Sequence, residues 1–206
     1  KIGTGDEELT LGGETVLFRH EKTFVNKTRY AVELCTCMDD AAVEAKLAEI
    51  PKVDYDRIGE RMYAGLVYVN CDAEATADKY TALVQKAAAL GRTMILGCSD
   101  PEIAKAALEV CKDNKPVLNG ANASNYEAMN AVATAAGVVL GVSGKDLNEL
   151  YDTTAAIEKL GNKNLVLDVT GADVKETFGN AVQVRRAALK DQDRTFGYPS
   201  IVNLAK

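Results

Sequence analysis

The chain has 206 residues, of which 47% are hydrophobic, with 24 Lys and Arg against 30 Asp and Glu for a formal net charge of -6. That is enough to bury one sizeable core. The acidic balance, with no basic run interleaved with aromatics, argues against nucleic acid as a partner. No apolar stretch approaches the roughly 20 residues that span a bilayer, and the opening Lys1-Ile-Gly-Thr-Gly-Asp-Glu-Glu8 lacks the apolar core of a signal peptide. A cytoplasmic protein without a membrane partner is expected.

Residues 1–29 read as a lead-in, polar up to about residue 15, with Val16-Leu-Phe-Arg-His20 as a short cap strand. Too few residues separate it from Tyr30 for a helical crossover. Seven apolar runs follow, each ending in small or polar residues: Tyr30–Cys35, Gly65–Cys71, Thr93–Cys98, Pro116–Ala121, Gly137–Ser143, Leu165–Thr170 and Ser200–Ala205. Helical stretches with clear punctuation lie between most of them. Asp39 or Asp40 caps a run to Ile50, halted by Pro51, and 51–62 reads as an irregular return with one short helical turn. The next helix spans Ala73–Leu90 with Gly91 at its stop. Asp100-Pro101 opens another, to about Lys112. Ser124 caps one that ends at Gly137. The last two cover 145–160, closed by Gly161, and about 174–190.

Near-continuous apolar strands alternating with helices mean a parallel sheet covered by helices. The cadence fits an open doubly wound sheet or a (β/α) barrel. The preferred reading is α/β, a TIM-type (β/α) barrel over 30–206, incomplete after about seven parallel strands with strand eight missing. A ligand is then sought where the strands' carboxyl ends emerge.

Those ends carry Asn70, Cys71, Cys98, Ser99, Asn119, Asn122, Ser143, Asp168, Thr170 and Asn203. They are mostly neutral donors and acceptors, suited to an amide-rich or heterocyclic ligand and poor at proton transfer. Asn119, Asp168 and Asn203 are the barrel-mouth candidates for binding. Asp168 is either functional or satisfied within the barrel. No catalytic residue is singled out: no lysine lies inside a strand for Schiff-base chemistry, and His20, the only histidine, sits on the lead-in. Gly141-Val-Ser-Gly144-Lys145 lacks the phosphate-loop spacing and reads as a tight turn.

The five cysteines, Cys35, Cys37, Cys71, Cys98 and Cys111, are odd in number and argue against a disulfide framework. Cys35-Thr-Cys37 is a C-x-C pair with no C-x2-C beside it. Cys35, Cys71 and Cys98 could converge as three thiolates at the mouth, but free thiols are the expected state and no metal site is assigned.

Several stretches, taken in order, resemble one family. Val16-Leu-Phe-Arg-His-Glu-Lys-Thr-Phe24 is followed by Asp54-Tyr-Asp-Arg-Ile-Gly59, Asn122-Ala-Ser-Asn-Tyr-Glu-Ala-Met129, Leu165-Val-Leu-Asp168 and Arg194-Thr-Phe-Gly-Tyr-Pro199. Together they resemble the central barrel of the corrinoid iron-sulfur protein large subunits, the gamma subunits of acetyl-CoA decarbonylase/synthase. The resemblance implies a longer polypeptide in which a 4Fe-4S domain precedes the barrel and a cobamide (corrinoid) domain follows it. Both flanking domains are expected to be absent here, and neither cofactor falls on a residue of this chain. It further implies a methyl carrier. The methyl group would pass from methyl-tetrahydrofolate or another methyl-pterin, through a methyltransferase and cobalt, to acetyl-CoA synthase in the reductive acetyl-CoA (Wood-Ljungdahl) pathway. Expected partners are a small barrel subunit in a heterodimer, the methyl-pterin methyltransferase and acetyl-CoA synthase. The barrel itself would be a scaffold. The alternatives are a pterin-binding methyltransferase or dihydropteroate-synthase-like barrel enzyme, with Asp168, Asn119 and Asn203 holding the pterin, and a phosphate-binding aldolase-type barrel.

Overall fold

A computed structural model of the chain describes residues 1–13 and 26–204. The expected cap strand Val16–His20, the Val16–Phe24 motif and His20 lie outside the described residues.

Seven parallel strands form one curled sheet in the order β1-β4-β5-β6-β7-β8-β9. They are β1 (Ala31–Cys35), β4 (Leu66–Asn70), β5 (Thr93–Gly97), β6 (Val117–Ala121), β7 (Val139–Val142), β8 (Leu165–Asp168) and β9 (Ser200–Ile201). Between them run α1 (Asp40–Glu49), α2 (Ala77–Ala88), α3 (Pro101–Cys111), α4 (Tyr126–Ala136), α5 (Leu147–Lys159) and α6 (Val174–Lys190). This is the incomplete TIM-type barrel expected from the sequence. Among the described residues, β1 and β9 are its edges.

Side-chain alternation gives the sheet two apolar faces, and each is buried against a different partner. The outward residues, Leu34, Val67, Leu96, Leu118, Leu140 and Leu167, are at most 0% exposed and pack on the helix layer. The inward residues Leu66, Ile95, Val117, Val139 and Val166 form a second, smaller core with Ile2, Leu9 and Leu11 of the lead-in. The lead-in is therefore the barrel's floor. Ile2 and Leu9 are joined as an antiparallel bridge, a 3-10 turn covers Gly5–Glu7, and Gly3 N donates to Lys115 O at 3.0 Å.

The helix starts follow carboxylate and hydroxyl caps. Asp39, Asp100, Asp146 and Asp173 each accept from backbone N–H groups of the first turn, satisfying donors that have no partner inside the helix. Two expected boundaries change. The helix expected from Ala73 starts at Ala77 under a Thr76 cap, because Asp72 Oδ1 already holds the 72–74 turn through Glu74 N. Ser124 does not cap α4; its N and Oγ both donate to Asn122 Oδ1, and Asn125 takes the cap position.

The return expected to be irregular is a 3-10 turn, Ile50–Lys52, followed by an antiparallel hairpin of β2 (Asp54–Arg57) and β3 (Glu60–Tyr63). Its two-residue connection, Ile58-Gly59, has φ of 51° and 77°. Positive φ at both positions is the primed turn that matches strand twist, and the isoleucine hid it from sequence reading. The hairpin is pinned to the floor. The Tyr63 hydroxyl donates to Glu7, Arg92 pairs with Glu7 at 3.0 Å, and the Arg61 and Arg92 guanidinium groups each lie 4.3 Å from the Tyr63 ring centre.

Truncating a strand residue that both layers depend on should cost much of the stability. We expect Leu140→Ala, at a site 0% exposed, to lower the unfolding free energy by about 2–5 kcal/mol, read as a shift in the urea midpoint.

Candidate functional site

At the carboxyl end of the sheet, inward positions change from apolar to polar one residue pair above the inner core. Leu66 gives way to Tyr68, Val117 to Asn119 and Val166 to Asp168. Asn119 Nδ2 donates to Asp168 Oδ2 at 2.9 Å and to the Tyr68 hydroxyl at 3.2 Å. Asp168 Oδ1 accepts from Thr170 N at 3.1 Å. Two glycines make room for this cluster. A side chain at Gly97 would run into the Tyr68 ring, and one at Gly141 would run into Asn119 Oδ1 and Cα. Glycine inside a strand marks such close approaches.

Asn119 is 3% exposed, and its Oδ1 has no hydrogen-bond partner among the described residues. Burial pushes the Tyr68 hydroxyl up to about 12; the neighbouring Asp168 charge adds to the rise and the Asn119 hydrogen bond opposes it. Tyr68 is therefore a neutral donor at physiological pH, and Asp168 accepts two hydrogen bonds. The cluster can hold a ligand's polar edge but lacks a nucleophile and a second acid within it, so proton relay is not what it is built for.

Of the three candidates, the fold brings Asn119 and Asp168 into contact. Asn203 follows β9, and its backbone N donates to Thr170 Oγ1 at 2.8 Å. Tyr68 and Asn203 both line a cleft of about 680 Å³ that also takes in Leu11, Tyr30, Ile201 and Leu204. Tyr68 was missed by sequence reading. Its signal was the glycine at the matching end of the next run, Gly97. Gly144 is a tight turn, as expected: a Cβ there would meet Leu150 N.

Cys35, Cys71 and Cys98, whose convergence was the alternative to free thiols, are not gathered into one site. Cys35 and Cys37 are joined by a disulfide, correcting the expectation that all five are free thiols. Cys35 ends β1, and the chain turns back at once (Met38 N to Cys35 O, 3.1 Å), which brings the two sulfurs together. Cys71, Cys98 and Cys111 are free. Burial pushes Cys71 and Cys111 up to about 12 and raises Cys98 as well; the contact of Cys71 with Cys98 adds to its own rise. Four thiolates are not gathered anywhere among the described residues, so these cysteines do not fit a 4Fe-4S cluster.

A family model described as "CO dehydrogenase/acetyl-CoA synthase delta subunit" matches residues 1–205. The chain belongs to this family. Among curated relatives it is 34% identical to the corrinoid/iron-sulfur protein large subunit of Moorella thermoacetica over 97% of this chain and 45% of that protein. It is 32% identical to subunit gamma of the acetyl-CoA decarbonylase/synthase complex of Archaeoglobus fulgidus, over 98% of this chain and 43% of that protein. The resemblance read from the motifs thus holds across the chain, which spans a little under half the length of these relatives. Among solved structures it is similar to dihydropteroate synthase from Thermus thermophilus, with a TM-score of 0.61 over 84% of this chain and 70% of the other. At 19% identity that likeness shows the barrel fold alone. No helix among the described residues is long and apolar enough to cross a membrane.

Two outcomes follow from the buried groups. Free tyrosine ionises near pH 10, whereas folded Tyr68 stays protonated to about 12. Between these values the unfolded state binds fewer protons, so stability falls as pH rises. We expect Tyr68→Phe to flatten that fall in urea midpoints measured across this range. In the native protein, Cys71 and Cys111 should resist iodoacetamide near neutral pH and react only after unfolding, because the thiolate is the nucleophile. Mass spectrometry of the alkylated peptides checks this.

Proposed function

We propose that this chain is the central barrel of a corrinoid iron-sulfur protein. The longer protein would carry a methyl group from a methyl-pterin methyltransferase to acetyl-CoA synthase in the reductive acetyl-CoA pathway. The observation that carries this reading is the family match over residues 1–205, joined by large-subunit and gamma-subunit relatives aligned along nearly the whole chain.

In this reading residues 1–29 form the lead-in and 30–206 the barrel, and the two cofactors belong to flanking domains. The chain's own chemistry supports that division. Its cysteines are distributed as a disulfide, a thiol contact and a lone buried thiol, and its mouth offers neutral hydrogen-bonding groups and one satisfied carboxylate. We derive no chemical step through cobalt or the cluster from these residues. The barrel's part is to hold the other domains and subunits in place, with a small barrel subunit as the expected heterodimer partner.

The test is an anaerobic visible absorption spectrum of the intact protein that contains this chain. Corrinoid bands over a broad iron-sulfur shoulder are expected. A colourless intact protein that binds a methyl-pterin tightly would replace this reading with the pterin-binding barrel enzyme, Asn119 and Asp168 being its contact residues.

A further inference from the structure

The C-x-C turn after β1 meets a third metal-binding group that its own sequence neighbourhood does not contain. Parallel pairing sets Cys35 opposite Asn70, so the residues just beyond each strand end are neighbours. Thr36, 2% exposed, locks them. Its Oγ1 donates to Asp72 Oδ2 at 3.0 Å and accepts from Asp72 N at 2.9 Å. The result is that the Cys35 and Cys37 sulfurs and an Asp72 carboxylate oxygen all lie within 4.8 Å of one another.

The geometry points to a binding site for a thiophilic divalent cation, zinc being the type case, formed by Cys35, Cys37 and Asp72 once the Cys35–Cys37 disulfide is reduced. Two thiolates and a carboxylate are three protein ligands of the kind zinc takes, which leaves a fourth position for water. The supports around them suit that role. The Cys37 backbone N–H lies 3.1 Å from Cys35 Sγ and donates to it. Asp72 is oriented by Thr36 Oγ1 on one oxygen and Glu74 N on the other, at 3.0 and 2.7 Å. Each oxygen retains a second lone pair, and such outer partners fix a ligand's direction. Cys35 is buried while Cys37 is exposed, so the site has a floor and an open side. A divalent cation would offset two of the three negative charges gathered here, and the disulfide is the alternative state in which the two sulfurs carry none.

Reduction is a two-electron, two-proton step. With tris(2-carboxyethyl)phosphine as reductant, the S–S bond breaks, each sulfur gains a hydrogen, and the phosphine takes oxygen from water to become its oxide. Cation binding then displaces both thiol protons. The site does not depend on the methyl-carrier reading, because no residue of the proposed cofactor domains enters it.

The experiment uses the intact protein, reduced with the phosphine and dialysed against zinc under anaerobic conditions, with bound zinc counted by plasma mass spectrometry. Reduced wild type is expected to hold one more zinc per chain than Cys37→Ser, a substitution at an exposed position that leaves the core untouched. Zinc-edge X-ray absorption should place sulfur at about 2.3 Å from that zinc. Asp72→Asn keeps the shape and should weaken binding by at least the roughly 10–100-fold that loss of an outer-shell partner costs. Equal zinc content in reduced wild type and Cys37→Ser would overturn the site, as would unchanged affinity in Asp72→Asn.

Discussion

A parallel sheet must be covered on both faces, and every other feature of this molecule answers to that constraint. The outer face is covered by six helices whose buried residues meet Val67, Leu96, Leu118 and Leu140. The inner face carries no helix among the described residues. It is filled by its own side chains and by Ile2, Leu9 and Leu11 from the lead-in. The lead-in thus packs on the inner face at the end where the strands begin. Polar groups are left at the end where they finish, since carbonyls and side chains there meet loops and solvent.

Position within the barrel follows from alternation. Three inward columns hold an apolar residue near the floor and a polar one near the mouth, Leu66 then Tyr68, Val117 then Asn119 and Val166 then Asp168, while Gly97 and Gly141 take the upper places of the columns between them. The polar layer is not loose. Tyr68, Asn119, Asp168 and the Thr170 amide form one connected set, and burial keeps Tyr68 neutral. In a low-dielectric setting such a set is rigid when satisfied, which suits a scaffold. Among the described residues, Asn119 Oδ1 is a buried side-chain atom of this set without a hydrogen-bond partner.

The mouth holds a second cluster of a different character. Thr36 and Asp72 clamp two strand ends together, and the C-x-C turn folds over that clamp. The first cluster is built of a tyrosine, an asparagine and one carboxylate and is largely internal. The second is sulfur-rich, acidic and open on one side. A shared scaffold with two chemically distinct clusters at one end is what (β/α) barrels permit, because strand ends converge while loops vary.

Much of this was readable from the residues themselves. The seven apolar runs located the seven strands, because burial on both faces demands near-continuous apolar sequence. Carboxylates before α1 and α3 marked their starts for a local reason, the unmet N–H groups of a first helical turn. The ordered motifs from Val16 to Pro199 pointed to the family that the whole-chain match then established. What resisted reading was non-local. Ile58-Gly59 makes a primed turn that the isoleucine disguises, and the β2–β3 hairpin it forms is held by Glu7 from far back in the chain. Tyr68 carries no sequence mark of its own; only the register of β4 on β5 sets it over Gly97. Cys35 and Cys37 were visible as a pair, but nothing in sequence places Asp72 beside them. The sequence by itself determined which segments form the strands and helices of the barrel, since alternation and capping act within a few residues. Which side chains meet at the mouth was decided only by tertiary structure, because strand register and curl bring together residues that lie tens of positions apart.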